Sequence, residues 1–258
     1  YCGPMTRRGL IVLALALAVA RAAAAQSASA ALVVYAAADL DMAFREIKPL
    51  FEKATGARVT LVMGSTGNLA KQIEHGAPAD VFFAANESFV DELRTAGAVI
   101  PQTRTLYATG RIVLAVRKDS MIAVREIADL LKPEVRRVAI ANPAHAPYGR
   151  AAQEALERAG VWEKVKPKLV YGENIRHALQ FVETGAVEAG IVALSIADAP
   201  GIAYAQIERA LYAPLNQVAA VVKRSPHPDL GAAFIQFVNG AQGRPILKRY
   251  GFLLPGEF

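Results

Sequence analysis

Four short stretches concentrate the residues that could do chemistry: Ala36-Ala37-Ala38-Asp39, Gly64-Ser65-Thr66-Gly67, the run NPAHAPYG from Asn142 to Gly149, and Gly172-Glu173-Asn174-Ile175. Each follows a short apolar, β-branched run and precedes a longer amphipathic stretch, so each reads as the turn from a strand into a helix. Such a turn presents backbone N–H groups that the helix cannot pair internally, and the helix dipole favours negative charge there. Amides joined by the hydroxyls of Ser65 and Thr66 would suit an anion held without a neutralising cation. Each residue also has a plainer reading. Asp39, Ser65 and Thr66 are all good helix caps, Pro143 and Pro147 shape a loop, and Tyr148 can be packing. One junction alone is weak evidence for a binding site; four that converge make a stronger case.

Catalytic readings are poorer. Ser195 lies in Ala193-Leu194-Ser195-Ile196-Ala197, which lacks the glycines of a nucleophile elbow. His75, His145, His177 and His227 show no paired metal-ligand spacing, and Glu173 and Asp198 have no evident carboxylate partner. The Gly-Ser-Thr-Gly turn lacks the Gly-Lys-Ser/Thr ending of a phosphate-binding P-loop. A cleft enzyme acting on a small anionic substrate would have only His145 or Glu173 as its base.

The elements that must position these turns follow from periodicity. Strands are expected at Leu32 to Tyr35, Arg58 to Met63 and Asp80 to Ala85, with helices at Asp39 to Ala54, Thr66 to His75 and Glu87 to Ala96. Arg111 to Arg117 is a strand able to carry the chain out of this unit. A second alternating set follows: strands at Arg137 to Ala141, Leu169 to Tyr171 and Ala189 to Leu194, helices at Tyr148 to Ala159 and Asn174 to Glu183. Gln217 to Val222 is a late strand that returns to the first unit, and Asp229 to Asn239 and Gln242 to Arg249 are terminal helices. The fold class is therefore α/β, with two lobes, each a mostly parallel sheet flanked by helices, joined by two crossing strands. Lobe 1 is expected over 30–112 plus 219–258 and lobe 2 over 113–218, with a hinge near Gly110 to Lys118 and Gln217 to Lys223. With two of the four turns in each lobe, the turns can face one another across a cleft.

Met5, the basic pair Arg7 and Arg8, the apolar run Leu10 to Ala20 and an alanine-rich end form a secretory leader over 1–25, with upstream residues before Met5. The run is short for a membrane span, which needs roughly 20 apolar residues. Removing Arg7, Arg8 and Arg21 lowers the formal net charge from +6 to +3. The remaining basic residues are scattered and not interleaved with aromatics, which argues against nucleic-acid binding. The one cysteine, Cys2, precedes Met5, so the mature chain has no disulfide and no thiol chemistry.

The segments VVYAAADL, GSTGNLAKQIEHGAPADVFFAAN, YATGRIVLAV, IANPAHAPYG, ENIRHAL, AGIVALS and KRYGFLLP, in that order, resemble the periplasmic molybdate-binding proteins of ABC transporters over essentially the whole mature chain. The resemblance implies a bilobed periplasmic fold and molybdate or tungstate bound between the lobes. It further implies no cofactor, hinge closure on binding and handover to a permease in the inner membrane; we expect a monomer. It places the oxyanion against Ala38 and Asp39, the hydroxyls and amides of Ser65 and Thr66, and the N–H groups of Tyr148 and Ile175.

Two departures stand out. Asp39 occupies a position where many family members have a neutral donor, and Ala193 one where some have a tyrosine hydroxyl. A carboxylate beside a dianion is repelled by roughly 4 kcal/mol per pair of unit charges at 4 Å and an effective dielectric of 20. Asp39 can avoid this by capping its helix, by taking up a proton or by coordinating the metal centre; capping is the reading preferred from sequence. The rival ligands are sulfate, phosphate and ferric ion. The last would need clustered tyrosines, and Tyr204 and Tyr212 are not adjacent. The sensing half of a regulator is disfavoured by the leader and the lack of a DNA-binding segment.

Overall fold

The structure, a computed structural model, describes residues 30–257; the expected leader lies outside the described residues. The chain builds two five-stranded sheets. In the first, β1 (Ala31–Ala37), β2 (Arg58–Gly64) and β3 (Val81–Ala84) pair in parallel, and β10 (Leu215–Val221) and β4 (Thr105–Gly110) extend the sheet antiparallel, in the order β2-β1-β3-β10-β4. In the second, β6 (Val138–Ala141), β7 (Leu169–Gly172) and β8 (Ala189–Ala193) are the parallel set. There β5 (Ile112–Arg117) and β9 (Ile202–Gln206) complete the order β7-β6-β8-β5-β9. The two sheets thus share one plan: second, first and third parallel strand, then an antiparallel strand, then an edge strand.

Helices α1 (Asp41–Thr55), α2 (Thr66–Glu74) and α3 (Glu87–Thr95) belong to the first unit, and α4 (Pro147–Arg158), the one-turn α5 (Trp162–Val165), α6 (Ile175–Glu183) and the one-turn α7 (Leu194–Ala197) to the second. The terminal helices α8 (Pro228–Val238) and α9 (Gly243–Arg249) return to the first sheet, where α8 packs on β10 and both pack on α1. None of these helices is long and apolar enough to cross a membrane.

Why these segments form these elements is largely a matter of pattern. The central strands are buried on both faces, as Val81–Ala84 and Val138–Ala141 show, because helices cover both sides of each sheet. The helices bury one stripe and end where glycine follows: Gly56 takes the left-handed conformation after α1 and returns its N–H to Glu52 O. On one face of the first sheet, Phe44, Phe51, Phe83 and Phe234 meet edge to face with ring centroids 4.9–5.7 Å apart.

Several sequence expectations change in the structure. β4 and β9 were not expected; both are edge strands, and β9 alternates between buried and exposed residues too weakly over Ile202–Gln206 to stand out. The helix expected from Asp39 is split into a 3-10 turn, Ala38–Leu40, and α1 proper from Asp41. The chain changes sheets at Arg111 and again between Gln206 and Leu215, so all of β10 lies in the first sheet, including Leu215 to Val218, which the sequence reading put in lobe 2.

Phe234 is fully buried and touches three of the other aromatic rings of its face. Phe234→Ala is expected to destabilise the protein by about 3–5 kcal/mol, measured as a lower urea midpoint with unchanged m-value.

Candidate functional site

The carboxyl ends of β1, β2, β6 and β7 lead directly into the four turns singled out from sequence, because parallel strands of one sheet deliver their C-terminal ends to the same edge. The two edges face each other. Between them lies a small cavity lined by eleven residues, among them Ala38, Asp39, Ser65, Thr66, Tyr148 and Ile175. All six residues expected at the site are therefore brought to one place, from four separate turns. Larger surface hollows exist elsewhere, among them an open one lined by charged residues of a helix surface around Arg150, Glu154 and Glu157.

Helix starts dominate the lining. Ser65 occupies the N-cap position of α2 but makes no side-chain cap; its Oγ lies 2.8 Å from His145 Nδ1 across the cleft. Thr66 Oγ1 accepts from Ala85 N at 3.1 Å, which leaves its hydroxyl proton available to another acceptor. The Gly67 N–H donates to His145 O at 2.9 Å. Tyr148 and Ile175 stand in the first turns of α4 and α6, where backbone N–H groups have no intrahelical partner. In α6, Asn174 caps by accepting from His177 N at 3.0 Å, so the Ile175 amide is not used by that cap.

Asp39 departs from expectation. Its side chain does not cap a helix; neither the Ala38–Leu40 turn nor α1 has a side-chain cap. The carboxyl group is buried in the seam between the two sheets, where Oδ2 accepts from Tyr148 Oη at 2.9 Å and from Gln217 Nε2 at 2.6 Å. Gln217 in turn accepts from Tyr107 Oη at 2.8 Å, which orients its amide with Nε2 toward Asp39. Asp39 Oδ1 is buried with no hydrogen-bond partner among the described residues. Burial pushes the Asp39 pKa up to about 6, against the opposing hydrogen bonds from Gln217, from Tyr148 and from its own backbone N–H. Burial, and then the nearby Asp39, hold the phenols of Tyr107 and Tyr148 well above their ordinary range, so both remain donors.

Tyr148 needs the space left by a glycine. A Cβ at Gly110 would stand 2.1 Å from Tyr148 Oη and 2.8 Å from Gln217 Nε2. Sequence reasoning missed Gln217, Tyr107 and Gly110; a buried glutamine and glycine in apolar strands were the only available signal. Ser195, weighed as a nucleophile, donates to Asp39 O at 2.8 Å and so joins the second sheet's α7 to the first lobe's turn. His145 is neutral at physiological pH, its pKa lowered chiefly by burial. His177 is stacked on Phe181 at 4.4 Å, and Glu173 is exposed. Tyr212 Oη accepts from Ile112 N at 3.4 Å and Tyr204 is exposed, so these two tyrosines do not pair in the cleft.

A family model described as bacterial extracellular solute-binding protein matches residues 32–253. The chain belongs to the bacterial extracellular solute-binding proteins. Among its relatives in that family, the molybdate-binding protein ModA of Azotobacter vinelandii is 34% identical over 223 residues, covering 85% of this chain and 88% of the relative. ModA of Escherichia coli is 35% identical over 231 residues, covering 86% and 89%. The solved structure of the Azotobacter vinelandii periplasmic molybdate-binding protein superposes with a TM-score of 0.81 at 29% identity, over 87% of this chain and 99% of that one. As a solute-binding protein the molecule is not an enzyme, which sets aside a catalytic role for His145 and Glu173.

The buried Asp39 makes a thermodynamic prediction. Its folded pKa, about 6 against an ordinary 3.8, means that the native state binds more protons than the unfolded chain between these values. Stability is therefore lost as pH rises through this window, by about 3 kcal/mol for a shift of roughly two units. The unfolding free energy of Asp39→Asn, relative to the parent without ligand, should rise by about that amount between about pH 4 and pH 7 in urea titrations.

Proposed function

We propose that the protein captures molybdate or tungstate between its two lobes and delivers it to an ABC permease. The observation that carries this reading is the cavity itself, where four strand-to-helix turns from two sheets place Ala38, Asp39, Ser65, Thr66, Tyr148 and Ile175 around one space. No Lys or Arg lines that cavity. A tetrahedral dianion would be held by oriented amides and hydroxyls, a donor set that stabilises negative charge without a counter-ion. Names of relatives support the choice of oxyanion: the four proteins called ModA from Azotobacter vinelandii, Rhodobacter capsulatus, Escherichia coli and Haemophilus influenzae are all described as molybdate-binding.

In this reading residues 30–110 and the returning C-terminal part form one lobe, and the chain between them the other, with the crossings at Arg111 and before Leu215 acting as the hinge. Ser65 and Thr66 give hydroxyl hydrogens, Tyr148 and Ile175 give amide hydrogens, and His145 with its proton on Nδ1 donates to Ser65 Oγ and releases the serine hydroxyl for the anion. The protein works in the periplasm as a monomer, after export by its leader.

Thermal unfolding tests the ligand. Molybdate and tungstate at 100 times their dissociation constants should each add about 2.7 kcal/mol to the stability, with sulfate adding little. No shift with either metal oxyanion would overturn the reading. Ser65→Ala together with Thr66→Ala is expected to weaken molybdate binding by about 1–3 kcal/mol in calorimetric titration. Gly67→Ala should also bind more weakly, because a Cβ there would stand 2.7 Å from His145 O and hold the lobes apart. In X-ray scattering, that variant should retain a larger radius of gyration in saturating molybdate than the parent does.

A further inference from the structure

The seam at Asp39 carries more than support. We infer that Asp39 enters the solute site as a neutral acid that donates its Oδ1 proton to the bound oxyanion, so that each dianion captured brings one proton with it. This rests on the oxyanion reading above and concerns the same cavity.

The geometry of the carboxyl group makes the argument. Oδ2 receives two donors, Tyr148 Oη and Gln217 Nε2, so it must act as the acceptor oxygen. A proton on the group therefore sits on Oδ1. That atom is buried in a residue lining the cavity, and no other residue of the described chain pairs with it. A buried O–H needs an acceptor, and a buried carboxylate oxygen needs a donor. An oxyanion in the cavity can only be the acceptor. Ionised, Oδ1 would face like charge; protonated, it becomes one more donor in a site built from donors. The solvent supplies the proton: carboxylate, proton and dianion combine into a carboxylic acid hydrogen-bonded to the anion, and no bond of the anion breaks.

The surroundings leave Asp39 as the titrating group. Tyr107 from β4 and Tyr148 from α4 are phenols held protonated, Gln217 from β10 does not titrate, and Ser195 from α7 is committed to Asp39 O. Asp41 and Arg45 of α1, with Glu173, Arg176 and His177 at the start of α6, line an outer hollow beside the turn that includes Ala38 and not Asp39. Arg45 pairs there with Asp41, and Arg176 with Glu183. His145, bonded to Ser65, is a further titratable group at the cleft, with a pKa lowered by burial and with the charges of Glu173 and Lys71 acting on it. Without ligand the Asp39 group changes charge near pH 6. A bound dianion raises that midpoint further, so binding takes up a proton at neutral pH.

The test is calorimetric titration of the mature protein with molybdate, which stays deprotonated above about pH 6 at micromolar concentration, in two buffers of different ionisation enthalpy. Near pH 7 the two-buffer comparison should give close to one proton taken up per anion, and affinity should fall about tenfold per pH unit above about pH 6. Asp39→Asn should bind with no such slope, because its amide N–H replaces the acid O–H without titrating. His145→Gln should keep the slope. Zero proton uptake in the unaltered protein overturns the inference while leaving molybdate capture standing, and so does a slope that survives Asp39→Asn or vanishes in His145→Gln. Failure to bind molybdate or tungstate at any pH overturns the functional reading and this inference with it. The two-buffer measurement needs no variant, so an Asp39→Asn protein that failed to fold would still leave a decision.

Discussion

A carboxyl group buried away from water is costly unless donors meet it, and the seam between the two lobes is arranged around that requirement at Asp39. Tyr148 reaches it from the second lobe and Gln217 from β10, both on the same oxygen. Tyr107 sets the direction of the Gln217 amide, and Gly110 lacks the side chain that would displace the Tyr148 hydroxyl. These four residues come from three elements, β4, β10 and α4, yet their positions have one purpose in common. A buried polar network of this kind is favourable only when nearly every member is satisfied, which ties the packing of β4, β10 and α4 to a single side chain.

The same seam positions the solute cavity. Ser195 and Tyr148 draw the second lobe onto the Ala38–Leu40 turn, while His145 engages Ser65 and Gly67 at the start of α2. Closure is thus made of hydrogen bonds flanking the cavity, and a ligand between the lobes would add its own bonds to both sides. In the proposed function, differential affinity for the closed arrangement would drive closure. The common strand order of the two sheets explains why the cavity has matching walls: each sheet sends its parallel strands' carboxyl ends, and the helix starts that follow, to the facing edge.

Much of this architecture could be read from local pattern. The parallel strands and the helices between them follow from apolar runs and from 3–4 spacing, and the four turns stand out through Gly, Ser, Thr, Asn and Pro between such runs. β4 and β9 were harder to see. Both are edge strands of their sheets, and what fixes them is a neighbour distant in sequence: β10 for β4, β5 for β9. Asp39 at a helix start is indistinguishable from a cap by sequence, because an aspartate that caps and one that crosses a cleft follow the same kind of strand and precede the same kind of helix.

By itself, then, the sequence determined the two alternating α/β sets and the four turns that follow their strands, since strand and helix periods and turn chemistry act over a few residues. Tertiary structure decided what Asp39 does, because its partners Tyr148 and Gln217 lie 109 and 178 positions away, Tyr148 on a helix of the other unit and Gln217 on β10 of its own sheet. It also decided the roles of Ser195, Gly110 and His145. Their contacts depend on distances between elements, and no local period encodes a distance across a cleft.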